Sequence, residues 1–453
     1  MPRKRMQRNN MFWKNLYKLL KSLTLADFAK VFLCLFFAFL HFQVKGILFS
    51  ADVYGAEFFN PYMTFFVYLS DIFLALGLLI LAFSIILSPQ RYGKFNVGNL
   101  LLFSLILFFC FAVGVSIIFS SNTMNSFLYF LRMIEFVFVY LIIVNRIVGA
   151  ELLMKVFVFS MVVAAFIGIF QYIFGHSLIF GFLGEPVLNT DMKGVAKVVF
   201  GDNIILRAYS TFSHPNIFAG YLIFAGFMSV YLFLKEKIVE RKVLLVTCLL
   251  VFLLAFLLTF SRAAFLAAVS GIVFYYVVLD VKIKWKYILP ILACVLLFVV
   301  VFNFSEVFMS RIDVGGDSAL QEREMFLSIS KNMFLKNPLG VGAGNFTSLM
   351  QDYTNVKIMP WQFQPVHNIF LLVANEIGIH GVLIFLTIFI YMFFILINRL
   401  RGGFNKPLFA ILTALWSVIF IVGFFDHYFI SLYQGQALMF VFFGLTGLAK
   451  KPL

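Results

Sequence analysis

The 453-residue chain is predicted to be an all-α, polytopic membrane protein with about twelve transmembrane helices. Three observations lead there. Hydrophobic residues make up 63% of the chain and charged residues 12%, against about 45–50% and about 25% in ordinary soluble domains. The mean hydropathy is +1.01. The basic residues also fall on alternate sides of successive apolar runs. A chain this long and this apolar cannot hide its surface in water, because single cores stop growing near about 250–300 residues. Twelve spans of about 20 residues occupy roughly 240 positions and absorb the excess. A soluble enzyme, a secreted disulfide scaffold, a disordered chain and a DNA-binding domain are excluded.

Apolar runs bounded by charge, glycine or proline place helices at 28–49, 63–87, 97–119, 126–144, 152–174, 216–234, 243–260, 263–279, 286–304, 369–397, 407–425 and 432–448. His41, Gln43 and Lys45 interrupt the first, and the tenth is expected to bend near Gly378–Gly381. Residues 1–27 form a basic segment. Its stretch 11–26 sets Phe12, Leu16, Leu19 and Leu23 on one helical face among lysines, which suits either a helix on an anionic leaflet or a plain topology signal. No short apolar run with a cleavage site follows it, so it does not read as a removable signal peptide. Without internal repeats or low-complexity linkers, 28–453 reads as one membrane domain.

With the amino terminus in the cytoplasm, cytoplasmic segments hold 23 basic residues and outer loops nine. By the positive-inside rule both termini are cytoplasmic. The four cysteines, Cys34, Cys110, Cys248 and Cys294, all lie in apolar runs without a CxxC pair, and read as small buried hydrophobes.

Two outer loops are long, about 175–215 and 305–366, and long loops in compact proteins usually carry function. The second contains Arg311, a helical stretch with Arg323, then NPLGVGAGNF, and leads into PVHNIFLLVANEIG. GVGAGNF superficially resembles a nucleotide fingerprint, but with no strand before it reads as a turn after a helix. The Ser261-Arg262 pair separates two apolar stretches with almost no loop, and an arginine at a membrane surface needs an anionic partner or water. Arg207 precedes STFSHPNIFAGYL, where Pro215 can open a helix with Ser213 or His214 near its cap. For Arg207 a loop salt bridge and a ligand contact are both open. His367 opens a late helix beside an arginine-rich loop and, as a group titrating near neutrality, is the candidate general base; a plain interfacial histidine is the alternative. His41 lies in the interrupted first span, and His176, His380 and His427 have no ligand-spaced partners, so no metal site is expected. Within the bilayer Asp71, Arg132, Glu135 and Glu376 need partners. Arg132 and Glu135 are placed to pair at i, i+3, and Asp71 has no evident one.

TFSHPNIFAGYL, TFSRAAFLAA, the Arg323 helix followed by NPLGVGAGNF, and PVHNIFLLVANEIGIHG together resemble the O-antigen ligase/polymerase superfamily, over roughly residues 200–445. The resemblance implies a GT-C-type, metal-independent, inverting glycosyltransferase that needs no cofactor. Such enzymes move a glycan from undecaprenyl diphosphate to an acceptor hydroxyl on a lipid, glycan or protein, at the external face of the cytoplasmic (inner) membrane. It places the base on His367, with Asn368 beside it, and diphosphate contacts on Arg262 and Arg323. Arg207, Arg311 and the His214 segment are further members of the site. Membrane lipids are expected partners and nucleic acid is not. The histidine motif favours a ligase over a polymerase joining lipid-linked repeat units, and a protein-glycosylating enzyme also belongs to the superfamily. A transporter or flippase of lipid-linked sugars is the competing class; it would share the spans but usually shows repeated halves with broken midplane helices.

Overall fold

The computed structural model describes residues 23–50, 60–192, 194–200, 203–278 and 316–448. Most of the basic amino-terminal segment, the ninth expected span at 286–304, Cys294 and Arg311 lie outside them. Helices follow in the order α1 (Leu25–Phe39), α2 (Leu69–Leu87), α3 (Leu100–Ser116), α4 (Thr123–Val144), α5 (Ala150–Phe174), α6 (Pro215–Lys235), α7 (Val239–Leu257) and α8 (Arg262–Val278). After the gap come α9 (Gly316–Lys336), the short α10 (Phe346–Leu349), α11 (Ile369–Arg401), α12 (Lys406–Phe425), the short α13 (Tyr428–Ser431) and α14 (Tyr433–Gly447). Seven of these are long and apolar enough to cross a membrane: α2, α3 with its 3-10 extension to Phe119, α4, α5, α6, α11 and α12. This is a multi-pass membrane protein. Every residue of α14 is buried, and α6 and α12 are the most enclosed of the seven. α14 packs on α4, α12 on α8, α6 on α7, and α11 on α3.

The helix starts follow the sequence. Asn99 and Asn122 cap α3 and α4, each accepting a backbone N–H three residues on, which satisfies a donor that a helix start leaves orphaned. Pro215 and Asn368 open α6 and α11. α5 stops at Gly175, whose φ of +74° suits glycine.

Two of the expected spans are corrected. The run 28–49 is helical only to Phe39, and 63–87 only from Leu69. Between them Lys45–Ser50 (β1) pairs antiparallel with Thr64–Tyr68 (β2), Lys45 facing Tyr68. Aromatic and β-branched residues crowd these strands, and the polar residues from His41 to Lys45 end the apolar run. A second hairpin, β3 (Lys197–Phe200) and β4 (Asn203–Leu206), forms in the 175–215 loop. Among the described residues the fold is therefore helical with two small hairpins on its loops rather than purely α.

Asp71 does have a partner. Arg132 on α4 reaches both Asp71 on α2 and the expected Glu135, each at 2.7 Å. It also donates to the Phe66 carbonyl of β2 at 2.7 Å. One guanidinium thus joins two helices and a strand, and its fork supplies the donors that a buried ion pair needs to offset desolvation.

The bend in the tenth span lies at Gly378, with φ +88° and ψ −176°. The break frees backbone groups that would otherwise pair within the helix, and the NPLGVGAGNF loop takes them up. Ile379 N–H donates to Pro338 O, while Asn375 O and Glu376 O accept from Val341 and Gly342, all at 2.9 Å. The loop is possible because Gly340, Gly342 and Gly344 all take positive φ. Its other side is pinned to α4 through Asn125 and Gly344 O at 2.7 Å, and Ser126 and Ala343 O at 2.9 Å. The segment is a structural clamp following a helix, as the turn reading expected.

A Cβ at position 378 would meet the Leu339 backbone in a left-handed conformation. Gly378→Ala should therefore lower the thermal midpoint of the detergent-purified protein, by a loss of about 1–3 kcal/mol. Gly226→Ala, whose Cβ meets nothing closer than 4.0 Å, should not.

Candidate functional site

The site is built where α6, the α7–α8 turn, α9, α11 and the α12–α13 turn come together. Arg207 follows β4 and is buried. Its Nε donates to Thr259 O at 2.6 Å and one terminal nitrogen to Asn216 Oδ1 at 3.0 Å. The neighbouring Ala208 N–H bonds Leu258 O at 3.0 Å. The α7–α8 turn is held to this strand end, and Arg262, the first residue of α8, sits exposed three residues beyond Thr259. His214 caps α6, its Nδ1 accepting from Asn216 N–H at 3.2 Å, so the capping expectation holds for His214 and Pro215.

Asn216 carries the connection onward. Its Nδ2 donates to Asp426 Oδ2 at 3.1 Å, and the other oxygen of Asp426 accepts from the His427 N–H at 2.8 Å. The result is a polar chain from Thr259 through Arg207 and Asn216 to Asp426. His427 Nδ1 meets Ser431 Oγ at 2.6 Å, and its ring lies 5.1 Å from that of His367. Ligand-type atoms of His367, Asp426 and His427 all lie within 4.8 Å of one another. Sequence spacing gave His427 no partners; the fold corrects this by bringing it against His367. Two imidazoles and one carboxylate form a donor set that suits a divalent cation.

Asn368 caps α11, its Oδ1 accepting from Phe370 and Leu371 N–H at 2.9 and 3.0 Å, and this fixes His367 at the helix mouth. The His367 ring rests 5.9 Å from that of Phe326 on α9. Arg323 lies one turn earlier on α9, exposed, and its charge acts on His367. Glu322 is tied to Gln362 at 2.9 Å, which holds α9 to the segment leading into His367. The structure thus gathers Arg207, His214, Arg323, His367 and Asn368 around one centre, with Arg262 on the turn that Arg207 holds. Arg311 lies outside the described residues.

The electrostatics favour neutral imidazoles around an ionised carboxylate. Burial pulls His214 and His427 down to about 3. His367 is also lowered, by burial first, with Asp426 opposing and Arg323 reinforcing. Burial pushes the Asp426 carboxyl up, but the surrounding imidazoles and the Asn216 amide outweigh it and hold the group below its ordinary value. Sequence reasoning missed Asp426 and Asn216. The signal available was a polar Asp-His pair ending an apolar run at the same side of the membrane as His367.

Because His214 and His427 titrate near 6.5 when unfolded and near 3 when folded, the unfolded chain binds protons the folded chain refuses. Stability is full above about 6.5 and declines as pH falls below it. Thermal unfolding at pH 7.5 and 5 should show a lower midpoint in acid, and the double variant His214→Gln/His427→Gln should show a smaller drop.

Residues 246–386 match the family model described as O-Antigen ligase. The matched stretch holds Arg262, Arg323, His367 and Asn368, whereas Arg207, Asn216, Asp426 and His427 flank it. No curated protein matches the sequence. The motifs around Arg262, Arg323 and His367 lie within this stretch, which is similar to the O-antigen ligase family.

Proposed function

We propose that this protein is a GT-C-type, inverting membrane glycosyltransferase that moves a glycan from a polyprenyl diphosphate, undecaprenyl diphosphate by the family resemblance, to an acceptor hydroxyl. The reading places both termini in the cytoplasm and the reaction at the outer face of the inner membrane. The observation that carries it is the neutral imidazole of His367 beside the Asp426 carboxylate, within the field of Arg323.

In this mechanism the acceptor oxygen attacks the anomeric carbon of the donor sugar from the face opposite the diphosphate. A new C–O bond forms, the bond from anomeric carbon to phosphate oxygen breaks, and its electron pair stays on the departing diphosphate. His367 takes the acceptor proton, and general-base catalysis is worth typically about 10²–10⁴-fold. Asp426 is a positioning residue that stabilises the imidazolium as it forms, as the buried carboxylate of a catalytic triad does. Arg207, Arg262 and Arg323 oppose the charge growing on the leaving oxygens. Guanidinium forks suit this because they are always charged and donate in pairs. The apolar flanks of Arg262 leave the polyprenyl tail in lipid while its head reaches the loops. Ligase action is favoured by the family match, and polymerisation of lipid-linked repeat units uses the same chemistry.

A second reading follows from the donor set of His367, Asp426 and His427, which suits a divalent cation with open positions. Chelation separates the two. Transfer that survives EDTA keeps His367 as the base, and loss that added Zn²⁺ restores assigns the three residues to a metal.

His367→Ala should reduce transfer from a polyprenyl-diphosphate glycan by about 10²–10⁴-fold while leaving membrane insertion intact. Arg323→Lys should lose most activity, because a point charge does not reproduce the fork. Normal transfer by His367→Ala overturns the base assignment, and a near-normal Arg323→Lys reduces that arginine to charge screening.

A further inference from the structure

Beside the histidine cluster lies a second polar space that the transfer chemistry does not use. It is a cavity of about 100 Å³ between β1, β2, α4, the clamp loop and the start of α14. Ser431 lines it and bonds His427; Tyr62 lines it and sets its ring 5.3 Å from that of His427, edge-on. The cavity and the cluster therefore share a wall.

Lys45 reaches into this space from β1. Its ammonium bonds Gln43 Oε1 at 2.9 Å and lies 4.1 Å from the centre of the Phe66 ring. Among the described residues no carboxylate forms an ion pair with it. The nearby acids are already engaged: Asp71 and Glu135 hold Arg132, and Glu376 accepts from Phe346 N–H at 3.2 Å. Lys45 as a residue is solvent-exposed, so its ammonium stands charged at the open side of the space, where an entering anion can pair with it. Partial desolvation lowers it to about 8, with no charged group among the described residues acting on it, so it still carries its proton at neutral pH. The remaining walls offer amides and hydroxyls, Gln434, Gln436, Asn125 and Thr347 among them. The space admits a charged substituent and its adjoining hydroxyls.

We propose that this cavity seats the acidic substituent of a glycan, a sugar carboxylate or sugar phosphate, against the Lys45 ammonium while the reacting hydroxyl or anomeric carbon lies across the shared wall at His367. The identification of the ligand as a glycan rests on the transferase reading. The anion site itself rests on Lys45 and the cavity.

Saturation-transfer NMR on the full-length protein in detergent tests it, with glucuronate, glucose 6-phosphate and neutral glucose as probes. An acidic sugar should bind more tightly than glucose, and whichever of the two binds better names the substituent. Lys45→Gln should weaken that binding about tenfold, the loss expected for a charged hydrogen bond, and Lys45→Arg should retain most of it. Equal binding of all three probes, or unchanged binding by Lys45→Gln with the gel-filtration profile intact, overturns the proposal. His367→Ala keeps the two readings apart. If it still transfers glycan while acidic sugars still need Lys45, the transferase reading falls and the anion site stands. If transfer needs His367 but Lys45 is irrelevant to binding, the reverse holds.

Discussion

An apolar solvent satisfies no polar group, so every charge and every broken backbone bond at membrane depth must find its partner inside the protein. Much of this architecture follows from that constraint. The break at Gly378 is possible because the clamp loop exchanges hydrogen bonds with it, Pro338 accepting from Ile379 and Asn375 and Glu376 accepting from Val341 and Gly342. The clamp in turn grips α4, the helix whose Arg132 gathers Asp71, Glu135 and the Phe66 carbonyl. Bending α11 and joining α2, α4 and β2 are thus linked consequences of one requirement.

The same requirement shapes the histidine site. Arg207 is held by Thr259 O and Asn216. The Asp426 carboxylate faces His367 and His427. A buried carboxylate surrounded by imidazoles that burial keeps neutral is an arrangement suited to receiving one proton. Asn216 is the link: its amide turns the positive end of the chain toward Asp426 without cancelling it.

Much of the fold was legible in the sequence, because a transmembrane helix reports itself through local apolar length. Nine helices, α3 to α8, α11, α12 and α14, fall within a few residues of their expected runs; the first two runs did not, since 28–49 and 63–87 each contain a strand that only its pairing partner stabilises. The cap of α6 was legible too, being set by His214-Pro215 within a turn of its own sequence. His367 and the arginines stood out as polar residues at membrane edges. Asp426 did not, because an acid ending an apolar run reads as ordinary punctuation until its neighbours are known.

The sequence by itself determined the class of solvent, the helices that meet it and the residues available for chemistry, since each is a property of short windows of composition. The tertiary structure alone decided which of those residues face one another. Asn216 and Asp426 stand 210 positions apart, and Asn60 and the Phe363 carbonyl, joined at 2.8 Å, stand 303 apart. No local pattern encodes such pairs. They are selected by how the helices pack, and packing depends on the whole set of buried contacts at once.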